Sequence, residues 1–295
     1  KQGWADGVVK VLPAAKAKRL KEFVLSELAD PERRAWTKRL RTFLDECRAR
    51  ILGWTAKETI APDRFVGIPK ARPGNRMKYR VLAPYALRDA IADSAFASYL
   101  RHIIDSRLDA HCYAFRLPNG GAPVTHHDAV VDLRGFAAEH STLRLWVAEC
   151  DIRGFFDSVS HDVTRRELFA LLAEAGAPSD PRPLEFLESF FAGYDYRGAR
   201  QKATEQLAKR NILQPDIYDP DKALKEAHLP IRPGTRIGIP QGSAFSSVLA
   251  NVVLTKADRA LRASIAAHRA SFYARYVDDI VLASTNRRVA KGAMN

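Results

Sequence analysis

Residues 272–284 read Phe-Tyr-Ala-Arg-Tyr-Val-Asp-Asp-Ile-Val-Leu-Ala-Ser, and they carry the strongest structural signal in the chain. Two apolar runs, 272–276 and 280–283, flank the adjacent Asp278 and Asp279. They predict two short strands around a tight turn, because Asp tolerates turn geometry. Turns with two aspartates are common and need no function. The run after the pair is of the buried type, however, which indicates a turn fixed against a core.

A third acid, Asp151, ends a hydrophobic run that predicts a strand over 143–150, and it lies 127 residues before Asp278. Carboxylates clustered at strand ends are costly unless a cation lies between them. Magnesium takes oxygen ligands and keeps coordination positions open for phosphates, and two such ions about 3.5–4 Å apart catalyse phosphoryl transfer. The pattern therefore predicts a pair of Mg²⁺ ions, with Mn²⁺ as an alternative, if folding brings these acids together.

The rest of the chain mixes helices with a few separate strands. Predicted helices cover residues 14–28, 30–52, 84–108, 160–175, 183–194 and 242–267, and one more strand covers 79–82. Residues 195–236 are polar, basic and interrupted by prolines, which predicts an insertion on the surface. Strands and helices segregated in this way predict an α+β fold.

Charge and cysteine content narrow the class of protein. The net charge is +13, and residues 1–110 carry 23 basic against 13 acidic side chains. Such a field attracts polyanions, although a generically basic, solvated surface has the same composition. Cys47, Cys112 and Cys150 have the spacing of neither a zinc site nor a disulfide framework. Without a membrane-length apolar run or a signal-peptide pattern in the sequence, we expect a cytoplasmic protein.

Five short motifs follow one another between residues 64 and 284. They are Ile68-Pro69-Lys70 with Arg80, Tyr113-Ala114-Phe115-Arg116, Asp151-Ile152-Arg153-Gly154-Phe155-Phe156-Asp157-Ser158, Ile239-Pro240-Gln241-Gly242-Ser243 and Tyr276-Val277-Asp278-Asp279. Together they resemble the bacterial reverse transcriptases, a group that includes group II intron and defence-associated enzymes. A lone Asp-Asp pair is a weak family signal, whereas five motifs in family order are specific.

The resemblance implies the fingers and palm of a right-hand polymerase, with an antiparallel palm sheet backed by helices. It implies a helical N-terminal extension over 1–60, fingers over 61–142, and a palm over 143–295 with a helical, basic insertion at about 160–236. Family members continue after the Tyr-x-Asp-Asp motif with a primer grip and a thumb. We therefore expect a thumb that is missing from this chain, divergent, or supplied by a partner.

The resemblance also implies roles for individual residues. It makes Asp151, Asp278 and Asp279 the catalytic carboxylates and, with the Ile152 carbonyl, the metal ligands. The implied nucleotide-binding residues are Lys70, Arg80, Phe156, Gln241 and Gly242, with the flat ring of Phe156 leaving no room for a 2′-hydroxyl. The implied nucleic-acid contacts are Arg72, Arg76, Lys78 and Arg116. Each set has a plainer interpretation, namely a solvated basic loop, core phenylalanines, or a turn before a helix cap.

The implied activity is that of an RNA-directed DNA polymerase, a nucleotidyltransferase that adds dNTPs to a 3′-hydroxyl opposite an RNA template. The resemblance implies an RNA template and the DNA product as partners, and no membrane. A non-coding RNA, a protein or a second copy of the chain is a further partner that the resemblance allows. The Ser-Ala-Phe after Pro-Gln-Gly favours antiviral defence in bacteria over a group II intron-type maturase. Two alternatives stay open: an RNA-dependent RNA polymerase, and a polymerase-derived nucleic-acid-binding module without catalysis.

Overall fold

A computed structural model gives the fold and describes residues 22, 34–70, 77–118, 121–229, 234–268 and 270–292. The chain divides into two compact units, Lys1–Gly53 and Trp54–Asn295. In the first unit, helix α1 spans Arg34–Leu52, which confirms the described part of the helix predicted over 30–52. The helix predicted over 14–28 lies outside the described residues except for Glu22.

The second unit combines helices with short strands. Its helices are α2 (Leu87–Ile104), α3 (His126–Glu139), α4 (Phe155–Ser158), α5 (His161–Glu174), α6 (Arg182–Ala192), α7 (Tyr196–Ala208), α8 (Pro220–Glu226), α9 (Ala244–Ile265) and α10 (Arg287–Gly292). Its strands are β1 (Val66–Lys70), β2 (Lys78–Leu82), β3 (Trp146–Asp151), β4 (Asp216–Ile217), β5 (Ser271–Tyr276) and β6 (Asp279–Ser284). The predicted α+β class is confirmed. Among the described helices, none has the length and apolar character needed to span a bilayer.

The central sheet has the strand order β3-β6-β5, and β6 runs antiparallel to both neighbours. Side chains alternate between its faces along each strand. On one face Tyr273 and Leu282 pack with α9 and α10, and on the other Phe272 packs with α3. The predicted strand pair around Asp278 and Asp279 is thus confirmed, and the turn between the strands is held by a core on both faces of the sheet.

The small sheet has the order β1-β2-β4, with β4 parallel to β2. Strand β1 was not predicted, because Gly67 and Pro69 inside it are typical of a loop. The structure explains the glycine: a Cβ at Gly67 would overlap the side chain of Leu207 on α7. The Gly67 N–H also donates to Gln206 Oε1 (3.3 Å), so the glycine marks a close approach of helix to strand.

The prediction of a surface insertion over 195–236 is wrong for the described part of that segment. Tyr196, Ala203 and Leu207 of α7 are buried in one core cluster with Val81 and Ile217 of the small sheet. Helix α7 buries a narrow stripe of small and apolar residues. The Arg, Lys and Gln residues between them make the segment polar on average, so the stripe was not recognised from the sequence.

Helix α9 packs against α2 and α5, and it buries Phe245 and Val248. Its N-cap is Ser243, whose Oγ donates to the carboxylate of Asp93 on α2 (2.6 Å). Asp93 also accepts from the Ala244 N–H (2.6 Å), so a buried acid satisfies N–H groups that the helix start leaves unpaired. This contact fixes the start of α9 immediately after Gln241 and Gly242.

Candidate active site

A cleft of about 1030 Å³ opens at the end of β3 and the turn between β5 and β6. Its lining includes the charged residues Lys70, Lys78, Arg80, Asp151, Arg153, Asp157, Asp216 and Asp278, the aromatic residues Tyr79, Phe115, Phe155, Phe156 and Tyr218, and residues 241–244. All five motifs singled out in the sequence therefore contribute side chains to one cavity.

The three predicted carboxylates come together at the end of the central sheet. Register places Asp151 directly opposite Asp279, and the Ile152 N–H donates to the Asp278 carbonyl (3.2 Å). Asp278 is half-buried, whereas Asp151 and Asp279 are exposed. Burial raises the pKa of Asp278, and the negative charges of Asp151 and Asp279 raise it further. Burial and the charge of Asp151 likewise raise the pKa of Asp279, so the cluster favours a nearby cation.

The donor chemistry of this cluster suits magnesium. It offers three carboxylates and the Ile152 carbonyl, which accepts from the Phe155 N–H (3.1 Å) and retains a second lone pair. As placed, no three His, Cys, Asp or Glu side chains within the described part of the chain form a group that could hold a metal ion. Asp151 and Asp279 are exposed, so other rotamers are open to their side chains when an ion binds.

Buried Arg275 holds the turn that carries Asp278. Its guanidinium donates to the Val277 carbonyl (2.8 Å) and forms a two-pronged ion pair with Asp258 (2.6 and 2.7 Å). Both side chains of the pair are 1% exposed. Val277 has a φ of +59°, which β-branched residues rarely adopt, so the bond from Arg275 helps to retain a strained backbone. Sequence reasoning missed Arg275, because nothing in the chain links it to Asp258 on α9.

The basic residues Lys70, Lys78 and Arg80 line the cleft on β1 and β2. The charge of Lys70 reaches the carboxylates, since it counteracts the raised pKa of Asp278 and of Asp279. None of the three basic residues forms a salt bridge with a residue that the structure describes. Arg72 and Arg76, predicted to contact nucleic acid, lie outside the described residues.

The two adjacent phenylalanines have different environments. Phe155 is buried, whereas Phe156 is half-buried, and the rings of the two residues meet edge to face with their centroids 5.5 Å apart. Both rings line the cleft, but Phe155 is the more buried of the two, and Phe156 keeps more exposed surface. Gly154, just before them, has a φ of +63°, and a Cβ there would overlap the ring of Tyr218. A glycine is therefore required at this position for two reasons.

Residues 239–241, just before α9, are hydrogen-bonded both to α4 and to the residue that follows β2. The Ile239 N–H donates to the Phe156 carbonyl (2.8 Å), and the Ala83 N–H donates to the Gln241 carbonyl (3.3 Å). The Gln241 side chain donates from Nε2 to Asp157 Oδ1 (2.8 Å). Gln241 and Gly242 accordingly line the cleft beside Phe156, where the sequence motifs had placed a nucleotide.

Arg116 does not reach the cleft, and its predicted contact with nucleic acid is wrong. The side chain is 6% exposed and pairs with Asp105 (3.1 Å), which also accepts from it through its backbone carbonyl (2.7 Å). Arg116 therefore fixes the loop after α2. Its neighbour Phe115, with a φ of +57° and 37% of its surface exposed, lines the cleft instead.

Tyr218 is a cleft residue that sequence reasoning missed. Its hydroxyl accepts from Ser158 Oγ (3.1 Å), and the guanidinium of Arg153 lies 5.9 Å from its ring centroid. Its carbonyl accepts from the Tyr196 hydroxyl (3.0 Å), which ties it to the core. The segment that carries Tyr218 matched no family motif, and the short apolar run around Ile217 was the only signal of order.

Comparisons with known proteins agree with the motifs. The family described as "Reverse transcriptase (RNA-dependent DNA polymerase)" matches residues 68–295. A curated relative, "Putative COX1/OXI3 intron 1 protein" of Saccharomyces cerevisiae, is 25% identical over 208 residues, which are 69% of this chain and 19% of that protein. The chain thus spans about a fifth of the length of that relative.

Two solved telomerase structures are also similar to the chain. The Candida albicans telomerase, solved in complex with a fragment of telomeric RNA, aligns with 12% identity and a TM-score of 0.44 over 88% of this chain and 44% of that one. The apo telomerase of Candida tropicalis aligns with 12% identity and a TM-score of 0.42 over 80% and 47%. Because the family match covers most of the sequence and all five motifs line one cleft, the chain belongs to the reverse transcriptase family.

Proposed function

We propose that this chain is an RNA-directed DNA polymerase that adds dNTPs to a primer 3′-hydroxyl opposite an RNA template. One observation carries the proposal: Asp151 and the Asp278-Asp279 turn, 127 residues apart in the sequence, meet at the edge of a cleft that Asp151, Asp278 and several basic residues line. A cluster of acids repels nucleic acid, so a binding module gains nothing from it. A polymerase needs such acids, because they hold the cations that bring two negatively charged reactants together.

The residues of the cleft divide the work of nucleotide addition. Asp151, Asp278, Asp279 and the Ile152 carbonyl are the candidate ligands for two Mg²⁺ ions, which would lower the pKa of the attacking hydroxyl and stabilise the leaving pyrophosphate when bound. Lys70 and Arg80 are exposed donors for the triphosphate. Phe156 offers a flat surface to the sugar, and Lys78 is a candidate contact for template phosphates.

Primer extension on an RNA template tests the proposal. Purified wild-type chain, with dNTPs, Mg²⁺ and a radiolabelled DNA primer, is expected to extend the primer. Asp278→Asn is expected to lower kcat about a thousandfold or more, because it removes a metal ligand from the reacting centre.

Glu149→Gln is the matched control for Asp278→Asn. Glu149 is an exposed acid on the same face of β3 as Asp151, and it lies opposite Val281, not opposite an acid. Its substitution should leave kcat within about threefold of wild type. Extension no greater than background by both Asp278→Asn and wild type would support a module without catalysis, and faster extension with rNTPs than with dNTPs would support an RNA-dependent RNA polymerase.

An intron-associated enzyme is the second candidate, and the yeast intron protein favours it, since that relative matches 69% of this chain. Binding of the chain to a structured intron RNA, measured against a length-matched unstructured RNA, separates this candidate from a general polymerase. A role in bacterial antiviral defence stays a prediction from the Ser-Ala-Phe that follows Pro-Gln-Gly. Loss of phage resistance on deletion of the gene in a bacterial host is the measurement that tests it.

A further inference from the structure

Asp157 is a buried acid that the metal chemistry does not use. It lies on α4, six residues after Asp151, and it lines the cleft although only 6% of its surface is exposed. Its Oδ1 accepts from Nε2 of Gln241 at 2.8 Å. A buried carboxylate without a salt bridge is costly, so a functional reason for retaining it is worth testing.

The groups around Asp157 come from several elements. Tyr194 and Tyr196 from the α6–α7 region lie within electrostatic range of it, Gln241 donates to it from an amide, and Arg80 on β2 is a nearby cation. Burial outweighs these contacts and raises the pKa of Asp157 to about 6. The group therefore changes charge within an accessible pH range while its geometry is set by the fold.

The backbone of Gln241 is already fixed, so only its side-chain amide remains to be oriented. Its carbonyl accepts from the Ala83 N–H, and Ile239, two residues earlier, is bonded to Phe156. An ionised carboxylate can only accept a hydrogen bond, so it selects Nε2 of Gln241 and leaves Oε1 available to the cleft. A protonated Asp157 can donate, which permits the amide to turn over and to present Nε2 instead.

We propose that Asp157 is a positioning residue of the nucleotide site, whose carboxylate orients the Gln241 amide toward an incoming dNTP. The inference rests on the proposed function for its substrate. The contact of Gln241 with the nucleotide then depends on the Asp157 carboxylate, which accepts from the Gln241 amide. Loss of Asp157 should therefore weaken dNTP capture more than it slows the chemical step.

Steady-state kinetics of Asp157→Asn in primer extension test this claim. At about pH 8 the KM for dNTP is expected to rise about tenfold with kcat within about threefold of wild type, a change typical of one lost charge-assisted hydrogen bond. The ratio of the two KM values should approach one at about pH 5, because Asp157 is then protonated in wild type. Because the nucleotide titrates equally in both assays, its titration cancels in the ratio of the two KM values.

Gln241→Ala completes a double-mutant cycle, and Asp162→Asn is the matched control. If Asp157 acts through Gln241, adding Asp157→Asn to Gln241→Ala should raise KM no further. Asp162 is an acid on α5 whose side chain is 77% exposed, and its substitution should leave KM and kcat unchanged. Additive effects of the two cleft substitutions, or a KM of Asp157→Asn equal to wild type at every pH, would overturn the proposal.

Stability and NMR measurements separate this role from folding and from the proposed function. Burial raises the folded-state pKa of Asp157 from 3.8 to about 6. The protonated side chain therefore contributes fully to the free energy of unfolding below pH 3.8, and this contribution is lost as pH rises through about 6. Asp157→Asn should therefore unfold at the same or a higher temperature than wild type at about pH 8.

The side-chain amide signals of Gln241, identified by their absence in Gln241→Ala, should titrate near pH 6 in wild type and not in Asp157→Asn. If the Gln241 signals titrate but the protein extends no primer, the proposed polymerase function is refuted and the Asp157–Gln241 contact is still supported. Primer extension by wild type without that titration would refute the positioning role alone.

Discussion

The acidic and basic parts of the cleft are held in different ways. The acidic group, Asp151, Asp278 and Asp279, lies at the end of the central sheet, and the turn that carries two of its members is bonded to the fully buried Arg275. The basic group, Lys70, Lys78 and Arg80, lies on the small sheet, and it has no salt bridge to any described residue. The backbone of the acidic turn is thus held by a buried network, whereas in the basic group the side chains of Lys70 and Arg80 are exposed and have no such anchor among the described residues.

This difference follows the demands of the chemistry. Metal ligands must hold oxygens in one geometry, because catalysis by bound cations depends on small displacements. Cations that bind a triphosphate gain more from flexible, exposed side chains, which follow the phosphates as they enter and leave. If the comparison is correct, substitutions behind the acidic group should change kcat, and substitutions within the basic group should change KM.

The largest effect is expected from Arg275→Met. Removing one partner of a buried ion pair leaves the Asp258 charge unpaired and should lower the free energy of unfolding by about 3–5 kcal/mol. The Val277 carbonyl also loses its donor, so kcat for primer extension should fall as well. Urea denaturation followed by circular dichroism measures the first effect, and extension assays below the unfolding transition measure the second.

The double variant Arg275→Met with Asp258→Leu distinguishes stability from positioning. Removing both charges should restore most of the free energy of unfolding, since a buried apolar pair is often as stable as an ion pair. The kcat should nevertheless stay low, because nothing replaces the bond to Val277. Full recovery of kcat would show that the turn needs no anchor, and the contrast between the two groups would fail.

A smaller effect is expected from Phe156→Ala, which lies between the two groups. Removing the ring should admit a 2′-hydroxyl and lower the preference for dNTPs over rNTPs, measured as a ratio of kcat/KM values, by about ten- to a hundredfold. Phe190→Leu is the control, because Phe190 is fully buried outside the cleft lining, and its loss should reduce the unfolding temperature without changing the preference. An unchanged preference for dNTPs over rNTPs in Phe156→Ala would contradict the role of this ring in excluding the 2′-hydroxyl.

The smallest effect is expected from Lys70→Ala. Losing one exposed cation should raise the KM for dNTP about tenfold, with little change in kcat, and should weaken the dependence of KM on salt. Lys222→Ala, an exposed lysine on α8 outside the cleft lining, controls for loss of net charge. A fall in kcat with constant KM would place Lys70 with the fixed acidic group.

Predictions from the sequence succeeded where a signal was local. The strands around Asp278, the helix predicted over 160–175 and the end of β3 at Asp151 all depend on residues within a few positions of one another. They failed where the partner lies outside that short range. Arg116 was predicted to contact nucleic acid, because no sequence pattern indicates that it pairs with Asp105. Strand β1 looked like a loop because Leu207, which needs the space at Gly67, lies 140 residues away.

The family, the α+β class and the choice of three candidate carboxylates followed from residue types in a local order, which can be read without the fold. Only the tertiary structure decided which of two neighbouring side chains faces the cleft at Phe115 and Arg116, and that Gln241 is held by Asp157. Such choices depend on burial and on hydrogen bonds between segments that meet only after folding. They also depend on backbone conformation, such as the positive φ of Phe115, which residue type alone does not predict.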